Sequence, residues 1–230
     1  ARVVIGSRDP NPLVAGKGAA ILRAAGVRVE EDFMREECDA LNPVFFHYIE
    51  KKEPYVVLKY AMTADGKIAT RTGASKWITG EAARKRVQYS RKIYSGIMVG
   101  IGTVLADDPM LTCRLENAKN PVRIICDSSL RIPLDSNIVK TAKEVPTIIA
   151  CTVAKEDKGN LKKDLTIKEK IEKLQQAGCE VLPIGRTKTG VDLKELMKLL
   201  GEKGIDSILL EGGSSLNYSA LQAGIVSKVE

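Results

Sequence analysis

The chain has 230 residues, a formal net charge of +7 and a hydrophobic fraction of 44%. This length predicts one or two domains, and a charged fraction of 28% is that of an ordinary globular chain. No apolar stretch approaches the roughly 18 residues that a membrane span needs, and no basic-then-apolar segment opens the sequence. An integral membrane protein and a secretory signal peptide are therefore not expected.

The positive charge is unevenly distributed. Residues 1–50 carry six basic and eight acidic side chains, whereas residues 51–230 carry 30 and 21. A basic region suits nucleic acid, a polyphosphate cofactor or a phosphorylated substrate, although a solvated basic surface is commoner. Because aromatic residues make up only 4% and no basic run interleaves with them, no nucleic-acid partner is predicted.

The cysteines and the histidine restrict the metal chemistry. Five cysteines are scattered along the chain without a CxxC pair, a pattern that favours reduced thiols and a cytoplasmic location. His47 is the single histidine. A His/Cys zinc site, and any other metal site, is therefore not predicted in these residues.

The first 54 residues predict a small strand and helix unit that ends in a linker. Strands are expected at residues 2–5 and 27–29, and helices at 15–25 and 33–41. The charged run before Pro54 reads as a linker, which gives domains at 1–48 and 55–230 and a linker at 49–54. Because the sequence opens inside a strand, we expect a preceding segment.

From Tyr55 onward, strands and helices alternate, as in a layered α/β domain with helices on both sheet faces. Thr79 is the expected N-cap of the first helix. The predicted strands are 55–61, 96–100, 122–126, 147–151, 180–184, 205–210 and 225–229, and the predicted helices are 81–92, 167–177, 193–200 and 216–223. The last strand begins as the sequence stops, so we expect further strands to be missing.

Loops that follow the strands carry the candidate functional residues, because ligands bind at the carboxyl ends of parallel strands. Lys59 lies in an apolar strand, so its ammonium group either reaches solvent or meets an anion. Trp77, in the polar loop at 72–79, is either a core residue or a ligand contact. Residues 100–103 form either a phosphate-binding turn or an ordinary strand-to-helix turn, and Leu105 stands where the dinucleotide fingerprint needs its third glycine.

Two further loops are rich in polar residues. In residues 106–114, Asp107 either binds hydroxyl groups or caps a helix, and Arg114 either binds a phosphate or pairs with the aspartate. Residues 211–215, with sequence Glu-Gly-Gly-Ser-Ser, lie between a predicted strand and a predicted helix. They either bind an anion through free N–H groups and hydroxyls or form an ordinary helix N-cap. Together these loops predict an α/β domain that binds a phosphorylated ligand.

Residues 59–67, 73–80, 100–114 and 211–216 resemble, in this order, the reductase domain of the bifunctional riboflavin-biosynthesis deaminase/reductase family. The resemblance spans residues 55–230, and residues 8–18 are similar to the last part of the family's deaminase domain. It implies a dihydrofolate-reductase-like α/β fold, preceded by the C-terminal part of a cytidine-deaminase-like α/β domain. The zinc-binding segments of that deaminase would lie upstream of residue 1, so zinc is expected only there.

The resemblance also implies an activity, namely NADPH-dependent reduction of 5-amino-6-(5-phosphoribosylamino)uracil to its ribitylamino product. The ribose opens to an imine and a hydride reaches C1′, with either Lys59 or a water held by Asp107 handling the proton. The resemblance thus implies Lys59 and Asp107 as the catalytic residues, and it assigns Asp9 and Asn11 to the substrate pocket of the deaminase. The implied substrate contacts are Ser75, Arg91, Leu111, Arg114 and Glu211. The implied cofactor contacts are Ala61, Trp77, Thr103, Asp107, Ser128, Gly213, Ser214, Ser215 and Leu216.

Two alternatives to an active reductase remain open. The chain is either a non-catalytic nucleotide-binding fragment or scaffold, or part of a longer parent whose main activity is the zinc-dependent deamination of a pyrimidine. For the reductase we expect a small phosphorylated pyrimidine as substrate, a homo-oligomeric state, and no membrane partner.

Overall fold

A computed structural model describes residues 1–75, 77–152 and 161–230. Lys76, which belongs to the polar loop at 72–79, and residues 153–160 lie outside the described residues. No described helix is both long enough and apolar enough to cross a bilayer.

The N-terminal residues form a small unit beside the main sheet. Two short strands pair in parallel and three helices accompany them, with bounds β1 Arg2–Val4, α1 Lys17–Ala24, β2 Arg28–Glu30, α2 Arg35–Ala40 and α3 Pro43–Lys51. Helix α3 begins with proline at its first turn, which suits the fixed φ of that residue. It ends at Lys51, and its C-cap, Lys52, adopts a left-handed conformation with φ 55°. The helix extends into the predicted linker at 49–54, because no glycine or proline interrupts the sequence between its first residue and Pro54.

Helix α3 also contacts the larger unit. The Tyr48 hydroxyl donates a hydrogen bond of 2.9 Å to the Gly201 carbonyl, and the His47 ring lies edge-on to Tyr55 with centroids 5.4 Å apart. The domain boundaries at 48 and 55 remain predictions.

Seven strands of the described residues form one parallel sheet, in the order β11-β3-β10-β4-β5-β6-β7. Runs of β-branched and aliphatic residues build it, as both faces of a parallel sheet are covered. Its strands are β3 Tyr55–Leu58, β4 Gly96–Gly100, β5 Val122–Cys126, β6 Thr147–Cys151, β7 Cys179–Pro183, β10 Ser207–Gly212 and β11 Val226–Val229, and a hairpin of β8 Arg186–Thr187 and β9 Gly190–Val191 stands apart.

Helices cover both faces of this sheet, which confirms the predicted layered α/β architecture. They are α4 Glu81–Ile93, α5 Ile101–Asp107, α6 Asn137–Lys140, α7 Leu161–Gln176, α8 Leu193–Glu202 and α9 Ser214–Ala223. Alternation along β4 shows the two layers, since Ile97 and Val99 join the core under α5 and α6, whereas Met98 joins the core under α8 and α9.

The structure differs from the sequence prediction at β3, α4 and α5, among other places. Strand β3 ends at Leu58, although the Lys59 N–H still donates to the Leu210 carbonyl at 2.9 Å. The N-cap of α4 is Gly80 rather than Thr79, and no side chain caps this helix. Helix α5 is not among the predicted helices; it forms because its apolar residues, Val104 among them, are buried against the sheet.

Candidate functional site

A cavity of about 1050 Å³ opens at the carboxyl ends of β3, β10, β4 and β5. In a parallel sheet these ends share one edge, so the loops that follow them meet there. Thirteen of the predicted site residues line the cavity, namely Lys59, Ala61, Ser75, Arg91, Thr103, Asp107, Leu111, Ser128, Glu211, Gly213, Ser214, Ser215 and Leu216.

Four predicted residues are not among those that line it. Trp77 is 73% exposed, and the Arg84 guanidinium lies 4.5 Å from its ring centroid. Arg114 is exposed, and its backbone N–H donates to Gln88 Oε1 at 2.9 Å. Asp9 and Asn11 lie in a local turn near the N-terminus, where the Asp9 carboxylate accepts a hydrogen bond from the Asn11 backbone. The roles implied for these four residues remain predictions.

The N-terminus of α9 faces the cavity. Gly212 has φ +101°, a conformation that favours glycine, and Gly213 is the N-cap. No side chain in the described part of the chain caps this ten-residue helix, so its first N–H groups have no capping oxygen there. An ideal Cβ on Gly213 would lie 3.5 Å from Thr103 Oγ1, so the Thr103 hydroxyl adjoins this turn. This arrangement fits the pyrophosphate of a dinucleotide.

Arg91 and Glu211 form a bidentate ion pair across the cavity floor. The guanidinium Nε and Nη2 atoms donate to the two carboxylate oxygens at 2.8 Å each, and Nη1 donates to the Thr112 carbonyl at 2.9 Å. Both side chains are only 12% exposed. Burial lowers the pKa of Arg91, but the hydrogen bonds and charge of Glu211 outweigh it, so this pKa stands above its ordinary value.

Lys59 and Asp107 approach the cavity from different elements. Lys59 is half-buried immediately after β3, and its ammonium group has no hydrogen-bond or ion-pair partner within the described ranges. Asp107 is the last residue of α5. The next residue, Asp108, takes a left-handed conformation and accepts hydrogen bonds from Asn137, which fixes this end of the helix.

Sequence reasoning missed several cavity residues. Arg131 and Ser129 follow β5, and the carboxyl-end rule applied to that strand would have found them. Thr189 lies in the β8–β9 turn, whose two-residue strands are too short to give a periodic signal.

The two candidate features for nucleophilic or metal chemistry are the Cys126 thiol in the cavity and groups of potential metal ligands. Cys126 lines the cavity, but burial raises the pKa of its thiol to about 12, so the thiol stays protonated near neutral pH. No group of three or more potential metal ligands occurs in the described part of the chain.

Comparison with known proteins relates this site to one enzyme family. A family model described as the RibD C-terminal domain matches residues 54–230. The riboflavin biosynthesis protein RibD of Actinobacillus pleuropneumoniae is 60% identical over 228 residues, which are 99% of this chain and 57% of that protein. The chain thus spans a little over half the length of this relative.

Two other relatives give the same result. The 2,5-diamino-6-ribosylamino-4(3H)-pyrimidinone 5′-phosphate reductase of Methanothermobacter thermautotrophicus is 41% identical, covering 76% of this chain and 75% of that protein. The solved deaminase/reductase of Thermotoga maritima superposes with a TM-score of 0.76 at 36% identity, covering 96% of this chain and 56% of that one. These neighbours confirm the predicted dihydrofolate-reductase-like fold.

Proposed function

The chain belongs to the RibD C-terminal domain family, and from that premise we propose that it catalyses the NADPH-dependent reduction of 5-amino-6-(5-phosphoribosylamino)uracil in riboflavin biosynthesis. The observation that carries this proposal is the cavity itself, where a lysine and a helix N-terminus, neither with a side-chain partner among the described residues, share one sheet edge. The lysine offers a proton and a positive charge to a sugar. The helix N-terminus offers N–H groups to a pyrophosphate.

The ribose must open before it is reduced. The C1′–O4′ bond breaks with its electron pair moving to O4′, which takes a proton, while the nitrogen lone pair forms a C1′=N bond. Lys59 is the group we assign to O4′, because its half-buried ammonium lines the cavity without a partner among the described residues. We assign to Asp107, at the end of α5, a water that takes the proton from nitrogen as the imine forms and returns it once the hydride has added to C1′.

A nicotinamide nucleotide, when bound, would supply a hydride for C1′. The α9 turn, with Gly213, Ser214 and Ser215, would hold its pyrophosphate, and Thr103 faces the same turn. The Arg91–Glu211 pair keeps a carboxylate fixed in the cavity, where its remaining lone pairs can accept hydrogen bonds from the substrate. The protein thereby contributes position and electrostatics.

The substrate phosphate is assigned to Arg114, beyond the cavity-lining Leu111 in the same loop. Arg114→Ala should raise the KM for the pyrimidine and leave the affinity for NADPH nearly unchanged, because the contact is to one ligand only. Equal weakening of both affinities would instead indicate a structural role.

The test is a direct assay of this chain with the named substrate. Oxidation of NADPH is followed by absorbance, and NADPH deuterated at the transferred position should give a product with deuterium at C1′. Lys59→Met should keep the affinity for NADPH and lose turnover. A wild-type chain that binds NADPH without oxidising it in the presence of the substrate would favour the scaffold alternative and refute the reductase proposal.

The longer parent protein is proposed to deaminate a pyrimidine as well, with zinc bound in the part that precedes this chain. Asp9 and Asn11 are assigned to its substrate pocket on the resemblance alone. The cytoplasmic location and the homo-oligomeric state remain predictions.

A further inference from the structure

The segment that follows α5 forms one wall of the cavity. Asp107, Pro109 and Leu111 line the cavity, and the two residues between them are not among the lining residues. Asp108 and Leu111 both adopt left-handed conformations, with φ 38° and 51°, which residues other than glycine take only rarely. Such a conformation persists only where surrounding contacts hold it, and it clusters at functional sites. The contacts on the outer side of this wall therefore fix where its cavity side stands.

The first outer contact joins Asp108 to Asn137, the first residue of α6. The Asn137 backbone N–H donates a hydrogen bond to Asp108 Oδ1 at 2.8 Å, and its side-chain Nδ2 donates to the Asp108 carbonyl at 3.0 Å. These two bonds hold the side chain and the backbone of Asp108 at once. Asp107 is the preceding residue, so the same contact restricts the position from which its carboxylate reaches the cavity.

The second outer contact comes from a buried arginine. Arg123 on β5 is fully buried, and its Nη1 donates a hydrogen bond to the Met110 carbonyl at 3.3 Å. The same guanidinium donates to four acceptors between α6 and β6, namely Thr141 Oγ1 at 2.8 Å, Thr147 Oγ1 at 2.9 Å, and the Ile138 and Val145 carbonyls at 3.0 Å each. All of its N–H groups are thereby engaged. One side chain thus holds both the cavity wall and α6 against β5.

We propose that Asp108 and Asn137 are positioning residues, and that their contact keeps Asp107 where its water serves the substrate nitrogen. This inference rests on the proposed reduction, in which Asp107 holds that water. Placement matters because a displacement of about 1 Å can lower a reaction rate about 100-fold. Asp108 acts through an oxygen acceptor and a left-handed backbone rather than through its charge, and asparagine supplies both.

Steady-state kinetics of three variants test the assignment. Asp108→Ala should lower kcat about 10-fold or more, and Asn137→Ala, which keeps the backbone bond, should lower it about threefold. The KM for NADPH should change less than about threefold in both, because the α9 turn proposed to hold its pyrophosphate is untouched. Asp108→Asn should keep more than about half of the wild-type kcat, since its amide oxygen still accepts from the Asn137 N–H.

Asp206→Ala is the matched control. The Asp206 carboxylate accepts hydrogen bonds from the Ser95 and Ser207 hydroxyls at 2.6 and 2.7 Å, and it precedes β10 at the sheet edge opposite the cavity. This variant should lower Tm and leave kcat unchanged at a temperature where it is folded. Equal kcat values for Asp108→Ala and Asp206→Ala would overturn the inference. So would a loss of turnover in Asp108→Asn as large as in Asp108→Ala, because the charge of Asp108 would then be what matters.

Amide hydrogen exchange gives a readout that does not depend on turnover. Residues 105–113 should exchange faster in Asp108→Ala and Asn137→Ala than in the wild type or in Asp108→Asn, because the wall has lost its outer contact. Asn137→Ala keeps the test decisive if Asp108→Ala fails to fold. Faster exchange without a fall in kcat would refute the positioning role. A wild type that oxidises no NADPH would instead refute the proposed reaction, and the exchange pattern would still report whether this contact holds the wall.

Discussion

Glu211→Gln should measurably destabilise the folded chain, because it breaks the bidentate pair with Arg91 while preserving volume. The amide oxygen can accept one of the two hydrogen bonds of 2.8 Å, but the amide NH₂ group then faces a guanidinium N–H. Arg91 keeps that bond and its bond to the Thr112 carbonyl, but it becomes a cation without a counterion at 12% exposure. Removing one partner of a buried pair costs about 3–5 kcal/mol, and the residual exposure of this pair places the expected loss near 3 kcal/mol.

Calorimetric melting measures this loss. For a chain of this size, about 3 kcal/mol corresponds to a fall in Tm of roughly 6–12 °C. Glu180→Gln is the control, since the Glu180–Lys203 pair is 47% and 38% exposed and should contribute less than about 1 kcal/mol. The double variant Arg91→Met, Glu211→Gln also removes the buried guanidinium that has no counterion, so it should recover part of the lost free energy of unfolding. Equal Tm shifts for Glu211→Gln and Glu180→Gln would refute the reasoning.

Three further predictions concern capping and titration. Asp192→Ala should lower the free energy of unfolding by about 1 kcal/mol, because the Asp192 carboxylate caps α8 by accepting hydrogen bonds from the N–H groups of residues 194 and 195. Chemical unfolding measures this loss. Asn42→Ala is the control, since Asn42 is an N-cap without a side-chain hydrogen bond and its replacement should cost much less. Burial lowers the pKa of His47, so the NMR signal of its imidazole should titrate with a midpoint below pH 6.5, and a midpoint at or above 6.5 would contradict this prediction. Stability should also fall as the pH drops below 6.5, because the unfolded chain binds the proton first. Burial raises the thiol pKa to about 12 for Cys126 and to about 11 for Cys179. Because the thiols of the unfolded chain ionise first, stability should decline above pH 9, by at most about 1.4 kcal/mol per pH unit for each thiol. Cys179→Ala should make this decline less steep in melts at alkaline pH, and an unchanged slope would contradict the prediction.

The central strands could be predicted from the sequence with accurate bounds. The strands at 96–100, 122–126 and 147–151 agree with β4, β5 and β6, because a parallel strand that is covered on both faces is a predominantly apolar run. Helix α5 was missed, since seven residues that begin beside two glycines give no clear helical period. Its stability comes from tertiary burial, which local sequence does not report.

The site was predictable where a loop carries its own signal. The Glu-Gly-Gly-Ser-Ser turn was identified from residue types alone, because glycines and hydroxyls before a helix favour anion binding. The Arg91–Glu211 pair could not be predicted, as it joins residues 120 positions apart and depends on the strand order. Arg131 was missed for a similar reason, since its place in the cavity depends on which strands stand beside β5.

The position of β10 has a consequence for the order of assembly during synthesis. This strand pairs with β3 on one side and β4 on the other, although about 150 residues separate it from β3 along the chain. Strands β4 to β7 neighbour one another in sequence order, so they can begin to pair while the ribosome is still making the rest. The loops that bring Lys59 and Glu211 to one cavity meet only after residues 207–212 have emerged. A nascent chain stalled before this strand would therefore hold half a sheet and no binding site.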